Sequence, residues 1–324
     1  MSGSVLSFEA SELEEAAELV HRVLPETPQY AWPKLARRTG CTVWVKHENH
    51  TPTGAFKVRG GLVYVDRLKL SRPGIGGVIS ATRGNHGQSI ALAACRAGIA
   101  ATIVVPRGNS VEKNAAMRAF GATLVEAGHD FDAAREEALR LAEEKGLAMV
   151  PSFHRDLVAG VATYALELFR SAPPIDTVYV PIGLGSGICG VIAVRDALSP
   201  STRVVGVVST EAPAYALSFA SGTPVATNSA NTFADGVAVR RPDPQALEVI
   251  LEGADRVVQV SDAEIAAAMR AYYEDTHQLA EGAGAAPLAA LLKERGRMAG
   301  KRVALVLSGG NIDRALYLRL LAGS

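Results

Sequence analysis

The stretch Gly77-Val-Ile-Ser-Ala-Thr-Arg-Gly-Asn-His-Gly-Gln88 decides the fold. Gly77 to Ser80 reads as a short apolar strand, and Asn85 to Ala97 reads as an alanine-rich helix. The same unit follows at once. Ala101 to Val105 is a strand ended by Pro106, and Ser110 to Phe120 a helix stopped by Gly121. Ala122 to Val125 is a strand, Phe131 to Lys145 a helix with a charged face, and Ala148 to Val150 another strand. Strands this apolar are buried on both faces. Their alternation with helices predicts an α/β fold, a parallel sheet flanked by helices.

Outward from this block the alternation restarts. Helix Asp156 to Phe169 precedes strand Thr177 to Val180, a glycine-rich turn and a helix to about Leu198. Strand Arg203 to Val208 leads to a helical stretch over Glu211 to Ala220, and Asn228 to Pro244 reads as irregular. Strand Arg256 to Val260, helix Ser261 to Thr276 (capped by Ser261 or Asp262) and helix Ala285 to Glu294 come next. Strand Arg302 to Leu307 and a short helix close the chain. On the N-terminal side, Ser11 to Val20 reads as an acidic amphipathic helix capped by Ser11, broken by Pro25 and Pro28. Strand Cys41 to Lys46 follows. Arg72 to Gly77 is a glycine-rich link and a candidate domain boundary.

Composition narrows the function. Of 324 residues, 48% are hydrophobic and 20% charged, and the formal net charge is zero. That suits a globular α/β chain and offers no basic surface for nucleic acid or an anionic membrane. Cys41, Cys95 and Cys189 have no metal or redox spacing and fit a reducing, cytoplasmic setting. Met1 to Ala10 has no basic region followed by an apolar run, so no leader is expected. No apolar run is long enough to span a bilayer.

In open α/β sheets, ligands bind beyond the carboxyl ends of the strands. Four loops there carry chemistry. The first, Glu48 to Gly60, hands over to a helix with Lys57 at the junction. Alone, such a lysine reads as solvated; packed against a helix it is desolvated, its pKa falls, and its neutral amine can form a Schiff base. The second, Ser80 to Gln88, can receive a carboxylate on backbone N–H groups and a helix N-terminus, or be a plain βα turn. The third, Gly183-Leu-Gly-Ser-Gly187, can form a phosphate nest or a tight turn. Its spacing is not that of a dinucleotide fingerprint, and it lacks the Gly-Lys-Ser/Thr of a nucleoside-triphosphate loop. The fourth, Ser308-Gly-Gly-Asn311, offers a hydroxyl to a buried ring nitrogen or caps a helix.

Taken together and in this order, the four loops resemble those of fold-type II pyridoxal-phosphate enzymes, most closely the threonine/serine dehydratase and serine racemase group. The resemblance runs from about Pro28 to Asp313. The family's T-G-S-F-K-x-R-G appears as Thr53-Gly-Ala-Phe-Lys-Val-Arg-Gly60, and its S-S-G-N-H-G/A-Q as Thr82-Arg-Gly-Asn-His-Gly-Gln88. Its phosphate loop matches Gly183 to Gly187, and its S-G-G-N matches Ser308 to Asn311. Ala234-Asp-Gly-Val237 also resembles a family segment.

The resemblance implies two open, mostly parallel twisted sheets flanked by helices, as in tryptophan synthase β. It implies a large cofactor-binding domain from residues 1–71 and 153–324, and a small inserted domain over 72–152. Lys57 would hold pyridoxal 5'-phosphate as a Schiff base. Gly183, Leu184, Gly185, Ser186 and Gly187 would cradle the phosphate. Asn85 would bond the ring hydroxyl, Phe56 pack beside the ring, and Ser308 meet the pyridine nitrogen. Thr82, Arg83, Gly84, Asn85 and His86 would bind the amino-acid substrate. A homodimer or other homo-oligomer is expected.

Departures sharpen the reading. Arg83 stands where racemases carry an acid/base serine; a guanidinium stays protonated, which disfavours racemisation. Arg83 can instead point outward or clamp a second substrate carboxylate. Val208 replaces a glutamate that some relatives use for a divalent cation, and Glu211 is out of register, so no metal site is assigned. Ala55 replaces the family serine. Little chain follows the last motif, so no regulatory domain of the feedback-controlled dehydratases is expected. Glu281 resembles a glutamate near the ring in relatives, or is a surface charge. The expectation is a lyase releasing ammonia from L-threonine or L-serine, with 3-hydroxyaspartate as the alternative. A serine racemase, a β-replacement synthase and a binding protein without the cofactor rank lower.

Overall fold

A computed structural model of the chain describes residues 6–323. The expectation about a leader falls partly on the first five residues, outside the described ones. Ten strands are present among the described residues: β1 Gln29–Ala31, β2 Thr42–His47, β3 Gly77–Ala81, β4 Ala100–Val105, β5 Thr123–Glu126, β6 Ala148–Met149, β7 Thr177–Pro181, β8 Arg203–Ser209, β9 Arg256–Val260 and β10 Arg302–Leu307. They form two sheets, a six-stranded one in the order β1-β2-β10-β7-β8-β9 and a four-stranded one in the order β5-β4-β3-β6. Every pairing is parallel except β1 with β2.

Side-chain alternation explains why both faces need cover. In β10, Val303, Leu305 and Leu307 pack with Val43, Val45 and Leu288 on one face, while Ala304 and Val306 pack with Val178, Val180 and Ile188 on the other. Each valine or leucine buried this way stabilises the fold by about 1.5–3 kcal/mol. The four-stranded sheet repeats the plan. Val78 and Ile103 face Val58 and Ile90, and Ile79 and Val104 face Ala134, Ala138 and Leu141.

The helices Asn85–Ala97 and Phe131–Lys145 have the bounds the sequence predicts. Elsewhere local detail differs. The first helix, Ala10–His21, is capped by Glu9 in a capping box with Glu12, and Ser11 lies inside the first turn. The helix expected from Glu211 begins at Ala214, just after Pro213. Asp262 heads the helix Asp262–Thr276, and Ser261 is its cap. Additions to the sequence reading include β1, the helix Pro33–Thr39, the helix Pro244–Gly253 and the single-turn helix Arg295–Met298. β1 is three residues held by pairing Tyr30 with Val45, a contact no local pattern announces. The third addition did have a local signal, because Asp243 accepts the Gln245 and Ala246 N–H groups ahead of Pro244.

Candidate active site

The sheet order sets the site. β2, β10 and β7 are neighbours with their carboxyl ends on one side, so the loops after them leave together. Phe56 N–H donates to the Ser308 carbonyl at 3.0 Å and Gly310 N–H to the Gly54 carbonyl at 2.9 Å, tying the first loop to the fourth. The loop after β3 faces them from the other sheet. Between lies a cavity of about 470 Å³. It brings together Phe56, Lys57, Thr82, Arg83, Gly84, Asn85, His86, Gly183, Leu184, Gly185, Ser186, Gly187 and Ser308, so the residues assigned from the sequence to cofactor and substrate line one space.

Lys57 opens the helix Lys57–Ser71. Its carbonyl accepts the Ser89 hydroxyl at 2.6 Å, which pins that first turn to the helix behind the second loop. Its amine donates to Ser186 Oγ at 3.3 Å and lies 5.3 Å from the Phe56 ring centre. Lys57 is half-buried on the cavity wall, and the desolvation of its amine by the packed protein around it pushes its pKa down to about 8. The solvated reading of this lysine does not fit.

Gly183 to Gly187 forms a tight cradle. A Cβ on Gly183 would lie 2.3 Å from the Gly236 carbonyl oxygen. Gly185 has φ +102°, a conformation that favours glycine, and a Cβ there would lie 2.5 Å from Ala246 Cβ. The helix Ser186–Leu198 starts here, so its first N–H groups have no helical acceptor and present a positive end. Two buried tyrosines hold the cradle from behind: Tyr164 donates to the Gly187 carbonyl and Tyr215 to the Leu184 carbonyl, each at 3.0 Å.

Asn85 is fixed from both ends of its amide. It donates to Glu281 Oε1 at 2.7 Å and accepts from Asn311 Nδ2 at 2.8 Å. His86 is buried, and its Nε2 has no partner. Desolvation, with Lys57 nearby, pushes its pKa down to about 3, so the ring is neutral. Ser308 is buried at the end of β10. The next helix, Arg314–Ala322, is capped by Asp313, which removes the alternative that Ser308 caps a helix.

These features fit a phosphate-bearing aldehyde cofactor. A desolvated amine, a cradle that admits no side chain at the positive end of a helix, and an unpartnered buried imidazole nitrogen converge on one space. Sequence reading missed Lys113, gave Asp235 no role beyond its place in a family-like segment, and gave Glu281 little weight; all three line the cavity. Lys113 had no local signal inside an ordinary helix. Glu281 had one, since it precedes the glycines that open the helix Gly282–Lys293. Arg240 and Arg241 also line the cavity, and Arg240 pairs with Asp132.

The chain is similar to several known proteins. The chain is 35% identical over 314 residues to the L-threonine ammonia-lyase of Thermotoga maritima, covering 96% of this chain and 77% of that one. It is 33% identical over 310 residues to the L-threo-3-hydroxyaspartate ammonia-lyase of a Pseudomonas species, covering 95% and 97%. The processed form of threonine deaminase isoform 2 from Solanum lycopersicum superposes with a TM-score of 0.89 at 32% identity, covering 98% of this chain and 96% of that one. The family described as pyridoxal-phosphate dependent enzyme matches residues 21–309, a span that runs from the end of the first helix through Lys57 and the glycine cradle to Ser308, and the chain belongs to it.

Proposed function

We propose that this chain is a pyridoxal-phosphate-dependent ammonia-lyase converting an L-β-hydroxy-amino acid, L-threonine or L-serine, to a 2-oxo acid and ammonia. The observation that carries the reading is the Lys57 amine, desolvated at the cavity floor beside the glycine cradle. The named relatives support the same reaction class. When bound, the cofactor supplies an electrophilic carbonyl and a ring that withdraws electrons from Cα.

The chain's own residues do the rest. With its pKa near 8, Lys57 is partly neutral at neutral pH, so the amine can act as nucleophile and can take a proton from Cα. Gly183 to Gly187 would hold the phosphate, at a cradle that admits no side chain and opens the helix Ser186–Leu198. The loop from Thr82 to His86 receives the substrate carboxylate at the start of the helix Asn85–Ala97. Ser308 offers the pyridine nitrogen a hydroxyl and not a carboxylate. That suits β-elimination, in which the electron pair leaves promptly with the β-hydroxyl, which takes up one proton, balancing the one Lys57 removes from Cα, and departs as water. A guanidinium is a poor proton acceptor, so with Arg83 in this loop Lys57 acts as the single Cα base, which favours elimination over racemisation.

A second reading, a 3-hydroxyaspartate ammonia-lyase, has its own observation. Arg83, Arg240 and Arg241 all line the cavity, where a second carboxylate would meet them. The Pseudomonas relative bears that name.

We further assign residues 72–152 to a small domain inserted in a large one, the protein to the cytoplasm, and its working form to a homodimer or larger homo-oligomer. Among the described residues no helix is long and apolar enough to cross a membrane.

The test is spectroscopic, then chemical. Purified protein is expected to absorb near the visible edge, and both borohydride and Lys57→Ala are expected to abolish the band. A panel of threonine, serine, 3-hydroxyaspartate and phenylserine, read out as oxo acid, ranks the substrates. A colourless protein that stays colourless with added cofactor ends the proposal.

A further inference from the structure

Lys113 is not a loop residue and carries no motif, yet it lines the cavity of the site. It sits in the first turn of the helix Val111–Ala119, beside the four-stranded sheet, and is 8% exposed. Its ammonium reaches Asp235 Oδ2 at 2.6 Å and Glu281 Oε2 at 3.7 Å. Its stem lies flat beneath the second loop, where a Cβ on Gly84 would come within 2.6 Å of Lys113 Cδ. The same side chain lines a second cavity of about 410 Å³, so it stands between two adjoining spaces. Glu281 in turn accepts from Asn85, the residue that opens the helix behind that loop.

We infer that Lys113 is a positioning residue for the reaction, acting through Glu281 on Asn85 and through Gly84 on the loop that receives the substrate carboxylate. The inference rests on the ammonia-lyase reading for what the loop binds. The charges facing Glu281 are Lys113 from its helix and Asp235 from the turn Asp235–Val237, with the Asn85 amide between. Lys113 also faces Asp313, at the head of the last helix. Lys113 favours the Glu281 carboxylate and Asp235 disfavours it, while burial dominates and raises its pKa to about 7. The carboxylate is the better acceptor for the Asn85 amide. Lys113 therefore enlarges the share of Glu281 that is carboxylate, and holds Asn85, near neutral pH.

The experiment uses the full chain with its cofactor and two readouts. Infrared titration follows the Glu281 carboxyl, assigned by its disappearance in Glu281→Gln, and needs no turnover. Rates against pH, split into kcat and KM, follow the reaction. Lys113→Met is expected to move the Glu281 midpoint upward by about one unit and the acid limb of kcat with it. With the midpoint moved from about 7 to about 8, the ionised fraction at pH 7 falls from about a half to about a tenth, so kcat falls about fivefold at pH 7 and little at pH 9. Lys113→Arg is expected to restore the midpoint. Asp235→Asn, which keeps the fold if Lys113→Met does not, is expected to move the midpoint downward. An unmoved midpoint in Lys113→Met or Asp235→Asn, or a loss of kcat equal at every pH, overturns the inference. A wild-type protein that turns over no hydroxy-amino acid, yet whose Glu281 midpoint still follows Lys113, defeats the ammonia-lyase reading alone.

Discussion

Asn85 donates its amide to Glu281 Oε1 at 2.7 Å, although 196 positions separate the two in the chain. The bond joins the first turn of a helix on the four-stranded sheet to the cap of a helix under the six-stranded one. It makes a carboxyl that burial would discharge into an acceptor the site depends on.

That balance has a stability signature. Burial, opposed by Lys113, raises the Glu281 pKa from 4.5 to about 7. The folded state therefore holds this proton where the unfolded chain releases it. The contribution is fully present below about pH 4.5 and is lost as pH rises through about 7, a change of about 3 kcal/mol. Glu281→Gln has no such proton. Its Tm is expected to gain on wild type between pH 5 and 8, and the pH dependence of kcat in that window to flatten. Parallel Tm curves would show that Glu281 is not the titrating group.

The opposite sign applies behind the Lys57 helix. Arg59 donates to Glu48 at 2.8 Å and to Glu167 at 2.5 Å, and Lys46 reaches Glu167 at 2.5 Å, all of them buried. Burial pushes the Glu167 carboxyl up, but Arg59 and Lys46 outweigh it and hold it at about 2. Its contribution is present above about pH 4.5 and lost as pH falls toward 2. Glu167→Gln leaves Arg59 and Lys46 sharing Glu48 and is expected to cost about 3–5 kcal/mol, as breaking a buried pair does. Urea unfolding at pH 7 measures the loss. A loss below about 1 kcal/mol would mean the cluster is not a unit.

Gly185 can be tested without touching a charge. Alanine there must adopt φ +102° and place its Cβ 2.5 Å from Ala246 Cβ. Strain of this kind costs about 1–3 kcal/mol, and a shift of the cradle carries it to the phosphate. Gly185→Ala is expected to retain cofactor about tenfold or more less tightly. Absorbance after dialysis against cofactor-free buffer reads this directly, with full retention as the contrary result.

Much of this site was legible because its chemistry sits in local grammar. Lys57, Asn85, Gly185 and Ser308 each stand at the junction between a strand or loop and the next element, and glycines and hydroxyls mark such junctions. Lys113 was not legible, since it lies in the first turn of a regular amphipathic helix and its partner Asp235 is 122 positions away. The strand Gln29–Ala31 escaped for the same reason, existing only through its pairing with β2. The helix Pro244–Gly253 was readable from Asp243 and Pro244 and was hidden by the irregular stretch before it.

Arg83 is the residue at which the two proposed substrate readings can be told apart. It is exposed at the rim, lines both cavities, and is close enough to Asp130 to act on its carboxyl. Its neighbour at the cavity mouth, Arg240, is already engaged by Asp130 and Asp132. A guanidinium at such a rim is placed to take a substrate's second carboxylate, and a charged hydrogen bond of that kind is worth about 1.5–3 kcal/mol. Arg83→Ser is therefore expected to lower kcat/KM for 3-hydroxyaspartate by about 10–100-fold more than for threonine. The loss falls on KM if Arg83 only binds, because binding that is equal in ground and transition states leaves kcat alone. Equal losses on both substrates would assign Arg83 to the shape of the loop, and unchanged hydroxyaspartate turnover would remove it from recognition altogether.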